Sequence, residues 1–248
     1  MDIAAQSADI LANLHLIRQR IAAAAAKAGR SATDIQLLLA TKTVAAENIK
    51  VAADAGATLL GENKVQELKE KDYLLGTLPV QRHFIGHLQT NKIKDVLKYV
   101  TCIQSVDRQE LAEKLDSRLQ YEKRTMDVFV QVNTSFEESK FGVHPDEAIR
   151  LLEQVKSYGT LQVKGLMTIG LFDADPEKVR PSFRLLREIR DTAIQQKLLS
   201  PDAAHLSMGM SGDLETAIEE GATIIRVGTA VFGKRQYPDS YYWNEQGQ

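Results

Sequence analysis

Eight short apolar segments alternate with stretches of helical periodicity along this chain of 248 residues. Each apolar segment predicts a strand, and each stretch with apolar residues at helical spacing predicts a helix. Regular alternation of strand and helix is typical of a parallel sheet covered by helices. The predicted strands are residues 35–42, 58–62, 83–88, 101–106, 127–133, 161–169, 203–209 and 223–232.

The number of strand–helix units favours a closed (β/α)8 barrel, which we predict as a single α/β domain over residues 1–248. The chain length also fits this barrel, which has about 250 residues in its usual form. An open doubly wound sheet is the alternative, since it shows the same alternation. Two terminal segments lie outside the repeat: a predicted N-terminal helix over residues 7–29 and an aromatic, polar C-terminal tail over residues 237–248.

Composition excludes several classes of function. The net charge of −2 gives no electrostatic basis for binding nucleic acid or an anionic membrane. The single cysteine, Cys102, cannot form an intrachain disulfide and fits a reducing compartment. Neither a bilayer-spanning apolar run nor a signal peptide is evident. We therefore expect a soluble, cytoplasmic protein that is a monomer, with a dimer left open.

Lys42 is the most distinctive candidate for chemistry. It ends the apolar strand 35–42, in which Leu38, Ala40 and Lys42 share one face. A partly desolvated lysine loses proton affinity and becomes a nucleophile that can form a Schiff base. The alternative is that Lys42 extends from the end of the strand into solvent, as long charged side chains commonly do.

The loops after the last two predicted strands indicate a phosphate site. They contain small residues and hydroxyls: Gly209, Ser211 and Gly212, then Gly228 and Thr229. Barrel enzymes frequently bind phosphate between these two loops at a helix N-terminus. The alternative is that the glycines only serve two tight turns.

Arg226 lies within the last apolar segment, on the same face as Ile224 and Gly228. A guanidinium at a barrel mouth requires an acceptor. That acceptor is either a protein carboxylate such as Glu62 or the unprotonated ring nitrogen of a ligand. An amine, a phosphate site and an arginine beside a ring nitrogen together suggest pyridoxal 5′-phosphate (PLP). A phosphate-binding barrel enzyme that uses no PLP is a further alternative.

Three other sites are weaker candidates. His83 and His87 share a strand face, but no cysteine or carboxylate cluster accompanies them, so we expect no metal site. Lys164 precedes the end of its strand by several residues, which places it toward the end of the barrel opposite the active site. Cys102 begins a predicted strand, and we expect it to be a packed core thiol.

Seven ordered motifs identify a resemblance that covers almost the whole chain. The chain closely resembles the pyridoxal phosphate homeostasis proteins, also called YggS or PROSC proteins. The motifs are Leu-Leu-Ala-Thr-Lys (38–42), Gly-Glu-Asn-Lys-Val-Gln-Glu (61–67), His-Phe-Ile-Gly-His-Leu-Gln-Thr-Asn-Lys (83–92), Glu-Ser-Lys-Phe-Gly (138–142), Gly-Leu-Met-Thr-Ile (165–169), Leu-Ser-Met-Gly-Met-Ser-Gly-Asp (206–213) and Ile-Arg-Val-Gly-Thr-Ala-Val-Phe-Gly (225–233).

The resemblance implies a barrel similar to the N-terminal domain of alanine racemase, with PLP held on Lys42 as a Schiff base. It implies a PLP carrier or buffer without established catalytic turnover, with PLP-dependent apoenzymes as recipients. The alternative function is a PLP-dependent amino-acid racemase or decarboxylase. Lys140 is a candidate for a second PLP site or a transfer site. The expected cofactor-binding residues are Lys42, Asn63, His83, Met208, Ser211, Arg226, Gly228 and Thr229.

Overall fold

Eight parallel strands close into a barrel in chain order in the computed structural model, which describes residues 3–171, 173 and 175–233. The last strand pairs with the first, from Gln36–Ile224 to Leu39–Val227. This pairing confirms the predicted barrel, and the open-sheet alternative is wrong. The predicted tail over residues 237–248 lies outside the described residues. The strands are β1 (Gln36–Ala40), β2 (Leu59–Glu62), β3 (Gln81–Phe84), β4 (Cys102–Val106), β5 (Met126–Gln131), β6 (Leu161–Met167), β7 (His205–Ser207) and β8 (Ile224–Val227).

Helices follow the strands, and the predicted N-terminal helix is confirmed. It ends shortly before Gly29, whose positive φ of 68° lets the Arg30 N–H turn back to the Ala25 carbonyl at 2.9 Å. Pro176 begins the longest of the later helices, a position where proline is tolerated. The helices are α1 (Ile3–Lys27), α2 (Ala46–Asp54), α3 (Val65–Leu75), α4 (Ile93–Val96), α5 (Gln109–Glu122), α6 (Ala148–Ser157), α7 (Pro176–Gln195), α8 (Leu214–Glu219) and α9 (Thr229–Phe232), with short 3-10 turns at Ala32–Asp34, Thr90–Lys92, Pro145–Glu147 and Pro201–Ala203.

Several strands end earlier than predicted, and each difference moves a candidate residue into a turn. β1 ends at Ala40, so Lys42 lies in the turn before α2. β8 ends at Val227 because the Gly228 carbonyl accepts from two N–H groups of α9, each at 3.0 Å. β3 ends at Phe84, so His87 follows the strand. Lys42, Gly228 and His87 therefore belong to the loops at the C-terminal end of the barrel, whereas His83 and Arg226 remain within strands.

The strands separate two apolar layers. Leu38, Cys102 and Met167 belong to a small cluster inside the barrel, whereas Leu39 and Leu60 belong to the large layer between the strands and the helices. Burying one such side chain contributes about 1.5–3 kcal/mol. Because the inner and outer residues alternate along β1, Ala40 follows Leu38 on the inner face.

The additional helix α1 braces the C-terminal end of the barrel. It packs against α8 and α9 with its apolar face. The Asn13 amide donates to the Val231 carbonyl at 3.2 Å, and Arg20 donates to the Ser211 carbonyl at 3.0 Å. The Arg20 guanidinium also pairs with Glu215 at 2.8 Å. Among the helices of the described residues, none combines the length and the apolar composition that a membrane span requires.

Candidate functional site at the C-terminal end of the barrel

Two turns meet where β1 and β8 end side by side. The first contains Lys42, which is half-buried, and the second begins at Gly228. A Cβ atom on Gly228 would lie 3.0 Å from the Ala40 carbonyl oxygen, a tight contact, so glycine favours the close approach of this turn to the end of β1. The structure therefore brings the predicted amine and part of the predicted phosphate site to one edge of the barrel.

The loop after β7 supplies the other part of the predicted phosphate site. Ser211 is half-buried, and its carbonyl is held by Arg20 of α1. The Asp213 carboxylate accepts from the Met210 N–H, and burial raises the pKa of this carboxyl. Met208 is fully buried in the outer apolar layer, so its side chain faces away from the barrel interior. Of the predicted loop residues, Ser211 and the exposed Thr229 are the ones that offer hydroxyls here.

The loops after β2 and β3 lie in contact with each other. Asn63 is half-buried, and its N–H donates to Glu62 Oε1 at 2.7 Å. A Cβ atom on Gly86 would lie 2.1 Å from the Asn63 carbonyl oxygen, so these loops pack backbone against backbone. Asn63 thus follows β2 at the same end of the barrel as Lys42.

Arg226 is buried inside the barrel and begins a chain of hydrogen bonds. Its Nη1 donates to Ser207 Oγ at 3.0 Å, and its Nη2 donates to the Thr168 carbonyl at 2.7 Å. Ser207 Oγ in turn donates to Gln104 Oε1 at 2.6 Å. Gln104 Nε2 is 2.8 Å from His83 Nδ1. The chain thus connects β8, β7, β4 and β3 across the barrel.

The two ends of this series of hydrogen bonds differ in protonation. Gln104 donates to His83 Nδ1, so the neutral imidazole carries its proton on Nε2. Burial lowers the pKa of His83 to about 4, which agrees with a neutral ring. Burial also lowers the pKa of Arg226 to about 10, and nearby Asp213 opposes this change. Arg226 therefore remains a cation at neutral pH beside a neutral histidine network.

Glu62 does not pair with Arg226, so that alternative is wrong. Glu62 points to the outer side of the barrel wall, where its Oε2 lies 2.7 Å from Lys71 Nζ and accepts from Thr41 Oγ1 at 3.0 Å. Arg226 points to the inner side, as Ile224 does. A side chain on the outer face of a strand cannot reach the barrel interior.

The two histidines of the predicted β3 face have separate environments. His87 stacks on Phe141 with ring centroids 3.8 Å apart, and its Nδ1 lies 3.6 Å from Asp107. His83 belongs to the interior chain instead. Among the residues that the structure describes, no group of three or more histidine, cysteine, aspartate or glutamate side chains is arranged to hold a metal ion.

The remaining candidate residues are distributed around the barrel. Lys140 donates to the Gly170 carbonyl at 2.7 Å and pairs with Glu137, so it connects the loops after β5 and β6. Lys164 lies 3.5 Å from Asp127. Cys102 is buried in the inner apolar cluster, which confirms its prediction as a core thiol, and burial raises its pKa.

The interior chain of hydrogen bonds was not predicted from the sequence. Gln104 stands in the apolar segment Cys-Ile-Gln-Ser-Val (102–106), and Ser207 belongs to one of the family motifs without a role of its own. An amide within an apolar segment was the signal available in the sequence, because such a side chain is expected to be buried and buried polar groups need hydrogen-bond partners. Its partners lie on strands far away in sequence.

Comparison with known proteins assigns the family. Residues 11–236 match the family model of the alanine racemase N-terminal domain. The pyridoxal phosphate homeostasis protein of Aquifex aeolicus is 44% identical over 224 residues, which cover 90% of this chain and 97% of that protein.

Two solved structures are also similar. An unknown protein from Bifidobacterium adolescentis has a TM-score of 0.88 and 40% identity, covering 94% of this chain and 97% of that chain. PipY of Synechococcus elongatus, solved with PLP bound, has a TM-score of 0.73 and 33% identity, covering 81% of this chain and 93% of that chain. The chain therefore belongs to the pyridoxal phosphate homeostasis protein family, which is built on the alanine racemase N-terminal barrel.

Proposed function

We propose that this protein binds PLP at the C-terminal end of its barrel and acts as an intracellular carrier or buffer of the cofactor. The observation that carries the proposal is the contact of Gly228 with Ala40 at the end of β1, two residues before Lys42. It places the Lys42 turn and the Gly228 turn at the ends of neighbouring strands, with the buried Arg226 two residues before Gly228. The names of the relatives support it, as does the PLP-bound structure of PipY.

The residues at this end of the barrel fit the three parts of PLP. PLP supplies an aldehyde, and its condensation with the Lys42 amine forms one C=N bond and releases one water. Ser211 and Thr229 offer hydroxyl donors to the phosphate, and Gly228 lets the backbone approach it. Arg226 offers a cation to the ring nitrogen. Asn63, His83 and Met208 complete the proposed surroundings of the cofactor, with Met208 contributing through its backbone.

We further propose that the protein carries PLP rather than using it to transform amino acids. PLP enzymes draw electrons into the ring, commonly with the help of an acidic partner at the ring nitrogen. A cationic Arg226 beside that nitrogen disfavours its protonation. Because Thr168 and Ser207 hold the guanidinium at 2.7 and 3.0 Å, it is fixed in place. This supports a site that stores the cofactor without activating it strongly.

The roles of Lys140 and of recipient enzymes are part of the same proposal. Lys140 would serve as a second PLP site or a transfer site after leaving Glu137 and the Gly170 carbonyl. PLP-dependent apoenzymes in the cytoplasm would receive the cofactor. The protein itself would act as a monomer or a dimer, with no contribution from nucleic acid or a membrane.

Titration of the purified protein with PLP and with pyridoxal tests the proposed function. Binding is measured by equilibrium dialysis and by visible absorbance. One molecule of PLP should bind tightly to each chain with a change in absorbance, and any second molecule at Lys140 should bind more weakly. Pyridoxal should bind much more weakly than PLP because it lacks the phosphate. Failure to bind PLP, or equal affinity for the two compounds, would contradict the proposal.

A further inference from the structure

The turn that carries Lys42 is held from the outer side of the barrel by three side chains: Glu62 at the end of β2, and Glu67 and Lys71 on α3. We refer to these three as the turn clamp. Lys71 Nζ donates to the Thr41 carbonyl at 2.7 Å, immediately before Lys42. Glu67 Oε2 accepts from the Thr43 N–H at 2.7 Å, immediately after it. The two residues that flank Lys42 are thus both fixed.

The turn clamp is a connected cluster of charges. Lys71 Nζ lies 2.7 Å from Glu62 Oε2 and 2.6 Å from Glu67 Oε2. Glu62 also accepts from the Thr41 hydroxyl and from the Asn63 N–H. The side chains of Lys71 and Glu62 are only 11% and 3% exposed. Such a cluster is costly to desolvate and adds little net stability compared with apolar residues, so its value lies in the geometry that it enforces.

Thr43 shows why the turn needs this support. Its φ of 62° lies in the left-handed region, which β-branched residues rarely adopt. A residue in such a conformation persists when the surrounding structure holds it there. The bond from the Thr43 N–H to Glu67 and the turn bond from the Val44 N–H to the Thr41 carbonyl at 3.0 Å provide that constraint.

We propose that Glu62, Glu67 and Lys71 are positioning residues that orient Lys42 toward the barrel mouth for its reaction with the PLP aldehyde. This inference rests on the proposed function of Lys42. The turn clamp lies behind the strands, in contact with the Thr41 and Thr43 backbone. The proposed phosphate and ring-nitrogen contacts, by Ser211, Thr229 and Arg226, come instead from β8 and the loops after β7 and β8. It acts on the orientation of the amine and leaves noncovalent binding of the cofactor unchanged.

Glu67 is the member of the turn clamp that is best suited to a test. Replacing it leaves Lys71 paired with Glu62, so no buried charge loses its last partner. Glu67→Ala removes the acceptor for the Thr43 N–H, and Glu67→Met does the same while it retains side-chain volume. Glu67→Gln retains an oxygen that accepts from the same N–H. Glu70→Ala is the matched control, since Glu70 is an exposed residue of the same helix that bonds Gln66.

The experiment measures two quantities for each variant. The first is the rate at which subsaturating PLP becomes covalently linked to Lys42, trapped with borohydride and quantified by peptide mass. The second is the affinity for pyridoxine 5′-phosphate, which retains the phosphate and the ring but has no aldehyde. Glu67→Ala and Glu67→Met should slow the covalent reaction about tenfold or more. Glu67→Gln and Glu70→Ala should react like the wild type, and all variants should bind pyridoxine 5′-phosphate equally.

The outcomes separate this inference from the proposed function. If wild-type protein forms no covalent link at Lys42, the proposed function of Lys42 is wrong and the inference falls with it. If the wild type reacts at Lys42 and Glu67→Ala and Glu67→Met react equally fast, the positioning role alone is wrong. A parallel loss of pyridoxine 5′-phosphate affinity would also overturn it, since that loss would mean that Glu67 supports the whole barrel mouth.

Discussion

Arg226 Nη1 lies 3.0 Å from Ser207 Oγ, and this contact sets the direction of every later hydrogen bond in the barrel interior. A guanidinium only donates, so Ser207 accepts from it and directs its own hydroxyl proton to Gln104. Gln104 then donates to His83. The single cation at one end therefore requires a neutral imidazole at the other.

The first prediction concerns the middle of this chain. Gln104→Leu should lower the free energy of unfolding by about 2–4 kcal/mol, because it leaves the buried Ser207 hydroxyl and His83 Nδ1 without their partner. Urea denaturation measures the change. Gln162→Leu, at an exposed position of β6, serves as the control and should change stability little. Equal stability of Gln104→Leu and the wild type would mean that the hydrogen bonds of Gln104 to Ser207 and His83 do not stabilise the fold.

The second prediction concerns pH. Burial lowers the pKa of His83 to about 4 in the folded protein, from the 6.5 of an unperturbed histidine. The unfolded state therefore binds a proton that the folded state excludes between these values. The contribution of this group to the free energy of unfolding should be fully present above pH 6.5 and should fall by about 3 kcal/mol as the pH drops toward 4.

His83→Asn isolates that contribution. Its side-chain oxygen can accept from Gln104, but it does not titrate, so the variant should lose less stability than the wild type between pH 6.5 and pH 4. Urea denaturation series at several pH values give the comparison. Parallel curves for the two proteins would show that His83 does not control this pH dependence.

The third prediction concerns the phosphate. Ser211→Ala or Thr229→Ala should weaken PLP binding about ten- to a hundredfold, because each removes a hydroxyl donor to a charged acceptor worth about 1.5–3 kcal/mol. Binding of pyridoxal, which has no phosphate, should change little. Equilibrium dialysis with both compounds provides the test. If both affinities fall equally, the hydroxyls support the loops and not the phosphate.

The number of alternating strands and helices, together with the chain length, was enough to predict the barrel, but the end of β8 was predicted too late in the sequence. The apolar run 223–232 continues past Val227 because α9 is itself partly buried, with Val231 fully covered. A buried strand followed directly by a short helix of apolar residues looks like one longer strand. The break occurs at Gly228, whose carbonyl receives the first helical bonds.

Only part of the site could be predicted from the sequence, for a similar reason. Lys42 and Arg226 are unusual because they are charged residues at or within apolar strands, and this is visible in the sequence. Glu67 and Lys71 are four residues apart on α3 and resemble an ordinary surface pair. Their contacts with the turn after β1 arise only when the barrel closes, because they depend on which helix lies behind which strand.

Mapping the lysine that bears PLP tests the proposed function most directly. The purified protein is incubated with PLP, reduced with borohydride and digested, and the pyridoxyl group is located by peptide mass. We expect the group on Lys42 in the wild type. We also expect loss of that adduct, with an unchanged thermal transition, in Lys42→Ala. An adduct found only on another lysine, such as Lys140, would contradict the assignment of Lys42.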